Sequence, residues 1–198
     1  MSFQLPSNIP SSTVLPTFYS PSTTADMSGL STVLGMIQAD TATWDNVNQI
    51  AYALATIKWE TSHTFNPIHE MGSISYFDQY DVGTPRGKGL GNTNPGDGFL
   101  FRGRGYVQIT GRENYTHIGS LVGVDLVSNP DLALQPPIAY QIAANGMKNG
   151  WFAGRRLSQY IPTGAAPDYV NARRIINGLD HAADIAAIAQ TFQGLLGG

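Results

Sequence analysis

Apolar residues recur at helical spacing in two neighbouring segments, residues 28–38 and residues 47–59. A recurrence every three to four residues predicts two amphipathic helices. The first stripe consists of Leu30, Val33, Leu34 and Ile37, and the second of Val47, Ile50, Ala51, Leu54 and Ile57. Thr43 and Asp45 are typical helix-start residues and are expected at the beginning of the second helix.

Regular spacing is absent from residues 61–98, and Gly, Pro, Asn and Asp crowd residues 83–98. A loop of this length inside a compact domain is usually functional, and we expect it to cover a substrate. Residues 99–110 have strand-like and turn-like character. Further helices are expected at residues 112–122, 137–149, 168–177 and 180–196, with Asp180 as N-cap of the last and Ile185, Ile188 and Phe192 facing inward. The pattern predicts a mainly α, loop-rich domain with a small β or turn element.

Composition changes this picture mainly at the N-terminus. Residues 1–27 are rich in Pro, Ser and Thr and carry one charge, Asp26, which indicates an extended arm or linker ahead of one domain at residues 28–198. The net charge of −3 argues against a nucleic-acid partner. The chain contains no Cys, which excludes disulfides and thiolate chemistry.

Carboxyl groups are the first candidates for chemistry. The chain has only three Glu, namely Glu60, Glu70 and Glu113. Glu60 ends a predicted helix, where the helix dipole disfavours negative charge, and Trp59 and Phe65 can add desolvation. Glu70 follows ten residues later, beyond Pro67. A protonated and an ionised carboxyl group together suit glycosidic bond hydrolysis. Composition alone favours the simpler interpretation that both are ordinary surface carboxylates.

Three segments change that balance. Residues 58–70 (KWETSHTFNPIHE), residues 101–115 (FRGRGYVQITGRENY) and residues 171–178 (NARRIING) together resemble glycoside hydrolase family 19. That family includes class I-type chitinases and many phage endolysins, and the resemblance extends over roughly residues 28–196. It implies a lysozyme-like, family 19 chitinase-like fold and an endo-acting enzyme that inverts the anomeric configuration without a cofactor.

The resemblance implies roles for individual residues. Glu60 matches the general acid and Glu70 lies near the general base, with Asp78 and Asp81 as alternatives. Thr110 matches the residue that holds the attacking water. The residues expected to bind the sugar are Gln108, Asn114 and Asn177. Two features depart from the family: Trp59 replaces the His of its His-Glu-Thr motif, and no arginine follows Asn177 in the last helix.

The remaining polar and aromatic candidates have competing interpretations. Arg102, Arg104 and Arg112 are expected to fix the Gly-rich turn, with Glu113 as a candidate partner for one of them. The alternative is that they bind the base carboxylate or a peptide-stem carboxylate. The histidines lack the H-E-x-x-H pattern, so no metal site is expected. The aromatic residues that are candidates to stack on sugars, or else to fill the core, are Tyr76, Phe77, Tyr80 and Tyr106.

The resemblance leaves the substrate open. A peptidoglycan hydrolase of the endolysin or lysozyme type is the first expectation, a chitinase is the second, and a non-catalytic virion or wall-binding protein is the third. The N-terminus shows no signal-peptide pattern, and no apolar stretch approaches the roughly 20 residues of a membrane span. We therefore expect synthesis in the cytoplasm and action on a cell wall after release or within a virion, with residues 1–27 joining the larger assembly.

Overall fold

The computed structural model describes residues 28–197, and this part of the chain is mainly helical. The longer helices are Ser28–Ala39, Val47–Glu60, Arg112–Val122, Pro136–Asn149 and Ala182–Leu195. Single-turn helices are Ile74–Phe77, Pro85–Gly89, Asp97–Leu100, Leu157–Tyr160 and Tyr169–Ala172, and 3₁₀ turns are Asp78–Tyr80, Pro130–Leu134 and Arg173–Ile175. The predicted fold class is confirmed. No helix among the described residues is long and apolar enough to cross a membrane.

The described chain divides into two compact units. The first unit contains the residues up to Phe65 and those from Ala143 onward, and the second is Asn66–Ile142. The expected arm, residues 1–27, lies outside the described residues. The boundary of the catalytic domain at residue 28 stays a prediction.

The first unit is built around the helix Val47–Glu60, which packs against the helix Ala182–Leu195. Every residue from 49 to 58 is buried, so the stripe seen in the sequence continues around the whole helix. The N-cap is Asn46, whose side chain accepts a hydrogen bond from the Gln49 N–H, and not Thr43 or Asp45. The helix ends at Glu60 as predicted, because Thr61 turns its hydroxyl back to the Ile57 carbonyl.

The last helix corrects one expectation about its start. Asp180 is not its N-cap, because His181 takes that position with a φ of 57° and the helix begins at Ala182. Ile185 and Phe192 are fully buried, as predicted from their spacing, whereas Ile188 is half-buried. The predicted helix at residues 168–177 is a single turn followed by a 3₁₀ turn.

The second unit contains the small β element. Strand Ile68–His69 pairs antiparallel with strand Arg104–Gly105, and an isolated bridge joins Arg104 to Ile109. The loop of residues 61–98 is not free of structure, since it contains short helical turns that leave no periodic signal in the sequence. These turns are held by side chains that cap their ends, such as Ser73 and Thr84, which accept from backbone N–H groups.

An ion pair fastens this segment to the next helix. Arg112 donates two hydrogen bonds to Asp97, with Nε–Oδ2 at 2.7 Å and Nη2–Oδ1 at 2.6 Å. Burial opposes the charge on Asp97, but Arg112 and the backbone N–H groups of Asn94 and Thr93 outweigh it. Together they hold the pKa of Asp97 below its usual range. A bidentate pair of this kind fixes the loop in one geometry.

Candidate active site

Glu60 forms an ion pair that the sequence analysis does not predict. Its Oε1 accepts a hydrogen bond from Nη1 of Arg173 at 2.6 Å. The two side chains are 16% and 6% exposed, so the pair is largely shielded from water.

Arg173 lies in the 3₁₀ turn Arg173–Ile175, within the segment 171–178 that carries part of the family resemblance. Its Nε also donates to the Asp180 carbonyl at 3.1 Å. The family resemblance implies a basic residue after Asn177, whereas Arg173 precedes it. The pair of arginines inside residues 171–178 is the signal that points to it.

The backbone immediately after Glu60 is strained. Ser62, His63 and Phe65 have φ angles of 50°, 69° and 56°, in the left-handed region that non-glycine residues seldom occupy. Strain of this kind concentrates at functional sites. Trp59, at the position of the family's histidine, has its ring centroid 4.7 Å from that of His181 and 6.0 Å from that of His63. Histidines therefore do lie beside Trp59, although not at the position expected from the motif.

Glu70 is held by groups of the second unit. It follows strand Ile68–His69 directly, and its N–H donates to the Gly103 carbonyl at 2.8 Å. Its Oε2 accepts from the Gly103 N–H at 3.3 Å, and its Oε1 accepts from the Tyr76 hydroxyl at 3.3 Å. The two donors orient the carboxylate, and because Glu70 is only half-buried it remains accessible to water.

Gly103 brings Glu70 and Gln108 together. A Cβ atom on Gly103 would lie 2.8 Å from Oε1 of Gln108 and 3.4 Å from Oε2 of Glu70. Gln108 adopts a left-handed φ of 55°. Its side-chain Nε2 donates two hydrogen bonds to the backbone, to the Ile68 carbonyl at 2.9 Å and the Gly105 carbonyl at 3.0 Å. Because its donors are occupied, its oxygen is the group left to accept from a ligand.

Thr110 and Asn114 continue this arrangement. The Thr110 hydroxyl donates to the Gln108 carbonyl at 3.0 Å, which leaves its oxygen as an acceptor. Asn114 donates to the Thr110 carbonyl at 2.7 Å from the first turn of the helix Arg112–Val122. The structure thus joins Gln108, Thr110 and Asn114 in one hydrogen-bonded series.

The two alternative carboxylates have different surroundings. Asp81 accepts from the N–H groups of Gly96 at 2.8 Å and Gly98 at 3.2 Å, and the Gly96 bond is the main cause that lowers its pKa. Asp81 therefore fastens the loop and is poorly suited to take a proton. Asp78 is exposed at the start of a 3₁₀ turn. Glu70 has the better geometry for a base.

Tyr106 is only 1% exposed, and burial raises its pKa to about 12. A buried ring has no free face for a sugar, so the structure argues against the expectation that it binds substrate. Phe77 is also buried, at 1%. Tyr76 is 43% exposed, and its contact with Tyr80 and then the charge of Glu70 raise its pKa to about 12. Among these aromatic candidates, Tyr76 is the one placed beside Glu70.

The three arginines near the Gly-rich turn have structural contacts, as expected. Arg104 is 3% exposed and bonds to Asp131 and Tyr115, while Arg102 lies over the Phe99 ring at 4.2 Å. Glu113 forms no ion pair with any of them in residues 28–197, so that part of the prediction is wrong. No metal-binding group of three or more His, Asp or Glu exists among the described residues.

Asn177 is exposed in the first unit, four residues after Arg173. Its N–H donates to the Arg173 carbonyl at 3.0 Å, and its side-chain oxygen accepts from the Gly178 N–H at 2.8 Å. Its amide nitrogen is therefore the group available to a ligand.

Comparison with known proteins supports the resemblance. The sequence model described as chitinase class I, of glycoside hydrolase family 19, matches residues 76–151. Chitinase 8 of Oryza sativa subsp. japonica is 34% identical over 90 residues, which cover 39% of this chain and 34% of the rice protein. The matched stretch thus spans about a third of that relative. The similarity to glycoside hydrolase family 19 is confirmed.

Solved structures agree on the fold. Chitinase C from Streptomyces griseus HUT6037 superposes with a TM-score of 0.62 at 21% identity, covering 94% of this chain and 74% of that chain. A bacterial family 19 chitinase reported to differ from the plant enzymes gives a TM-score of 0.61 at 21% identity, covering 96% and 95%. At this identity the likeness establishes the family 19 chitinase fold. The matched segment 76–151 contains Gln108, Thr110 and Asn114 but neither Glu60 nor Glu70.

Proposed function

We propose that this protein is a glycoside hydrolase that cleaves β-1,4-linked N-acetylhexosamine polymers, with Glu60 as general acid and Glu70 as general base. The observation that carries the proposal is the arrangement around Gly103, where Glu70 and Gln108 meet and Thr110 bonds to Gln108. The chitinases among its relatives and structural neighbours support the reaction class.

The groups around Glu70 suit the binding of an attacking water. The Thr110 hydroxyl donates its hydrogen to the Gln108 carbonyl, so its oxygen can only accept a hydrogen bond from a water. A water that donates one hydrogen to Thr110 and the other to Glu70 keeps a lone pair for attack on the anomeric carbon. Glu70 takes the second hydrogen as the new C–O bond forms, and the product has the inverted configuration.

The acid side suits proton donation followed by charge stabilisation. Glu60 gives its proton to the glycosidic oxygen as the bond to the anomeric carbon breaks, and the leaving sugar departs as an alcohol. The carboxylate left behind is paired with Arg173 at 2.6 Å. The pair thus stabilises the charge that appears during the reaction.

Chitin is the favoured substrate, because both the curated relative and the neighbouring structures are chitinases. In the second unit, Gln108 offers an acceptor that matches the N–H of an N-acetyl group. In the first unit, Asn177 offers a donor that matches the carbonyl of such a group. Peptidoglycan carries the same group on alternating sugars, so the endolysin-type activity expected from the sequence is the competing substrate in the same assay.

The experiment compares the wild type with Glu60→Gln and Glu70→Gln on chitin oligomers and on purified peptidoglycan. Each substitution keeps the side-chain volume, and each is expected to lower kcat by about 10²- to 10⁴-fold, the usual contribution of general acid–base catalysis. Glu113→Gln is the matched control, because Glu113 is exposed and unpaired among residues 28–197 and should retain full activity. NMR of the fresh product should show the α-anomer.

The outcomes separate the alternatives. Cleavage of chitin oligomers alone supports a chitinase, and new muramic acid reducing ends support a peptidoglycan hydrolase. If Glu70→Gln stays active while Asp78→Asn does not, the base lies further along the loop. A folded wild type that cleaves neither polymer contradicts the proposal and favours a wall-binding or virion protein on the same fold.

A further inference from the structure

Asparagine followed by glycine occurs three times in the chain, at Asn145-Gly146, Asn149-Gly150 and Asn177-Gly178. In such a pair the backbone nitrogen of the glycine can attack the side-chain amide of the asparagine, because glycine has no Cβ that restricts its backbone. Asparagine is among the thermolabile residues of proteins. The dipeptide is the same at the three sites, so their surroundings decide which of them reacts.

The first two pairs are held by the helix Pro136–Asn149. Asn145-Gly146 lies inside it, where each backbone N–H bonds to the carbonyl four residues earlier. Gly146 is also buried, and a Cβ there would lie 2.1 Å from an aromatic ring carbon. Asn149 is exposed, but the Gly150 N–H donates to the Gly146 carbonyl at 2.8 Å. Neither glycine nitrogen can attack the preceding side chain without breaking a hydrogen bond of the helix.

The third pair lies in an open segment between the 3₁₀ turn Arg173–Ile175 and the last helix. Asn177 and Gly178 are both exposed. The Gly178 N–H donates to Asn177 Oδ1 at 2.8 Å and to no backbone carbonyl among residues 28–197. A Cβ on Gly178 would meet no heavy atom within 4 Å, so the peptide has space to rotate. The glycine nitrogen therefore already contacts the amide group that it would attack.

We propose that Asn177 is a site of spontaneous deamidation. The Gly178 nitrogen gives up its proton to hydroxide and forms a bond to Cγ of Asn177, and the bond from Cγ to the side-chain nitrogen breaks. That nitrogen takes a proton from water and leaves as ammonia, and a succinimide ring remains. Water then opens the ring at one of its two carbonyl carbons and leaves aspartate or isoaspartate at position 177. A nitrogen already in contact with its target gains rate from proximity.

The modification changes what position 177 offers to a sugar. The amide nitrogen of Asn177 is the donor that we propose for the carbonyl of an N-acetyl group, and a carboxylate can only accept hydrogen bonds. The isoaspartate product also adds one carbon to the main chain two residues after the 3₁₀ turn Arg173–Ile175, which carries the partner of Glu60. These consequences for binding rest on the proposed function, whereas the chemical step does not.

The test incubates the folded wild type at constant temperature and follows each asparagine by peptide mapping with mass spectrometry. Loss of ammonia marks the succinimide, and replacement of the amide by a carboxyl group marks the products. We expect Asn177 to react at least about tenfold faster than Asn145 or Asn149, which corresponds to a difference of about 1.4 kcal/mol in activation free energy. Its rate should rise with hydroxide concentration, because the attacking nitrogen must lose its proton.

Two matched controls separate structure from sequence. In concentrated urea the three Asn-Gly pairs have no fold around them, so their rates should become similar. Gly178→Ala retains Asn177 and should fold normally, because a Cβ there meets no neighbour within 4 Å and the φ of Gly178 is not in the left-handed region. The added methyl group restricts the backbone of residue 178, so deamidation of Asn177 should slow about tenfold or more.

Equal rates at Asn177 and Asn149 in the folded chain overturn the proposal, and so does an unchanged rate in Gly178→Ala. Chitin oligomers then test the consequence for binding. KM should rise in the aged wild type in proportion to the modified fraction, and also in Asn177→Asp, which imitates the charged product. Modification without a change of KM supports the site and contradicts the sugar-binding role of Asn177. Because peptide mapping requires no turnover, an inactive wild type counts against the proposed function alone.

Discussion

The ion pair between Glu60 and Arg173 should stabilise the first unit strongly, and Arg173→Met tests this. The substitution keeps most of the side-chain length but leaves a carboxylate that is 16% exposed without its partner at 2.6 Å, and it removes the bond to the Asp180 carbonyl. Removing one partner of a buried pair costs about 3–5 kcal/mol. Because Glu60 is partly exposed, we expect the lower end, about 3 kcal/mol, and a fall in Tm of roughly 6–12 °C.

The assay is a double-mutant cycle of Glu60→Gln, Arg173→Met and the combined variant, measured by thermal and urea unfolding. Glutamine still offers an oxygen to Arg173, so Glu60→Gln alone should cost about 1 kcal/mol. The coupling should be about 2 kcal/mol, within the range measured for interacting neighbours. Arg174→Met is the matched control, since Arg174 is half-buried and bonds only to Asn171, at 3.4 Å, among the described residues. It should change stability by less than about 0.5 kcal/mol.

Additive effects would refute this reasoning. If the double variant loses as much stability as the two single variants together, the side chains do not interact in solution. A loss in Arg174→Met equal to that in Arg173→Met would show that the 3₁₀ turn, and not the ion pair, carries the effect.

Three further predictions concern the second unit. Gly103→Ala should lower kcat about tenfold or more with the fold retained, because its Cβ would lie 2.8 Å from Gln108 Oε1; unchanged kinetics contradict this. The pKa of Asp97 is lowered in the fold, so its contribution to stability is present above about pH 3.9 and lost as pH falls through the lower folded pKa. The difference in free energy of unfolding between the wild type and Asp97→Asn, measured in urea, should therefore shrink as the pH falls. A difference that stays constant with pH would count against the Arg112 pair. Tyr106→Phe should leave KM within about twofold, and a tenfold rise would place the ring at the substrate.

The sequence predicts the longer elements because they bury regular stripes. The helices Val47–Glu60 and Arg112–Val122 follow directly from apolar spacing, and the position of Glu60 at a helix end follows with them. The turns between Ile74 and Leu100 are too short to show a period, and they depend on caps such as Ser73. The start of the last helix was misplaced, because a left-handed His181 has no signature in its sequence.

The candidate site is predictable where its residues are close in sequence. Gln108, Thr110 and Asn114 are found by motif, and the structure joins them by hydrogen bonds. The arginine pair at residues 173–174 is visible in the sequence, but the pairing of Arg173 with Glu60 is not, because the two residues lie 113 positions apart. The motif leaves the place of Tyr106 open, because an aromatic residue in a motif does not reveal whether its ring faces the interior, where the structure puts it.

The surroundings of Glu60 and Glu70 therefore differ in how easily they can change by recombination or engineering. The partners of Glu70 lie mostly within residues 101–115, folded back on themselves by the bridge between Arg104 and Ile109. Exchanging that one segment between relatives would transfer most of the residues that we propose hold the attacking water. The setting of Glu60 depends on positions 113 residues apart and has no such unit of exchange. Recombination among homologues should therefore diversify the surroundings of Glu70 readily, whereas those of Glu60 can change only through coordinated substitutions at distant positions.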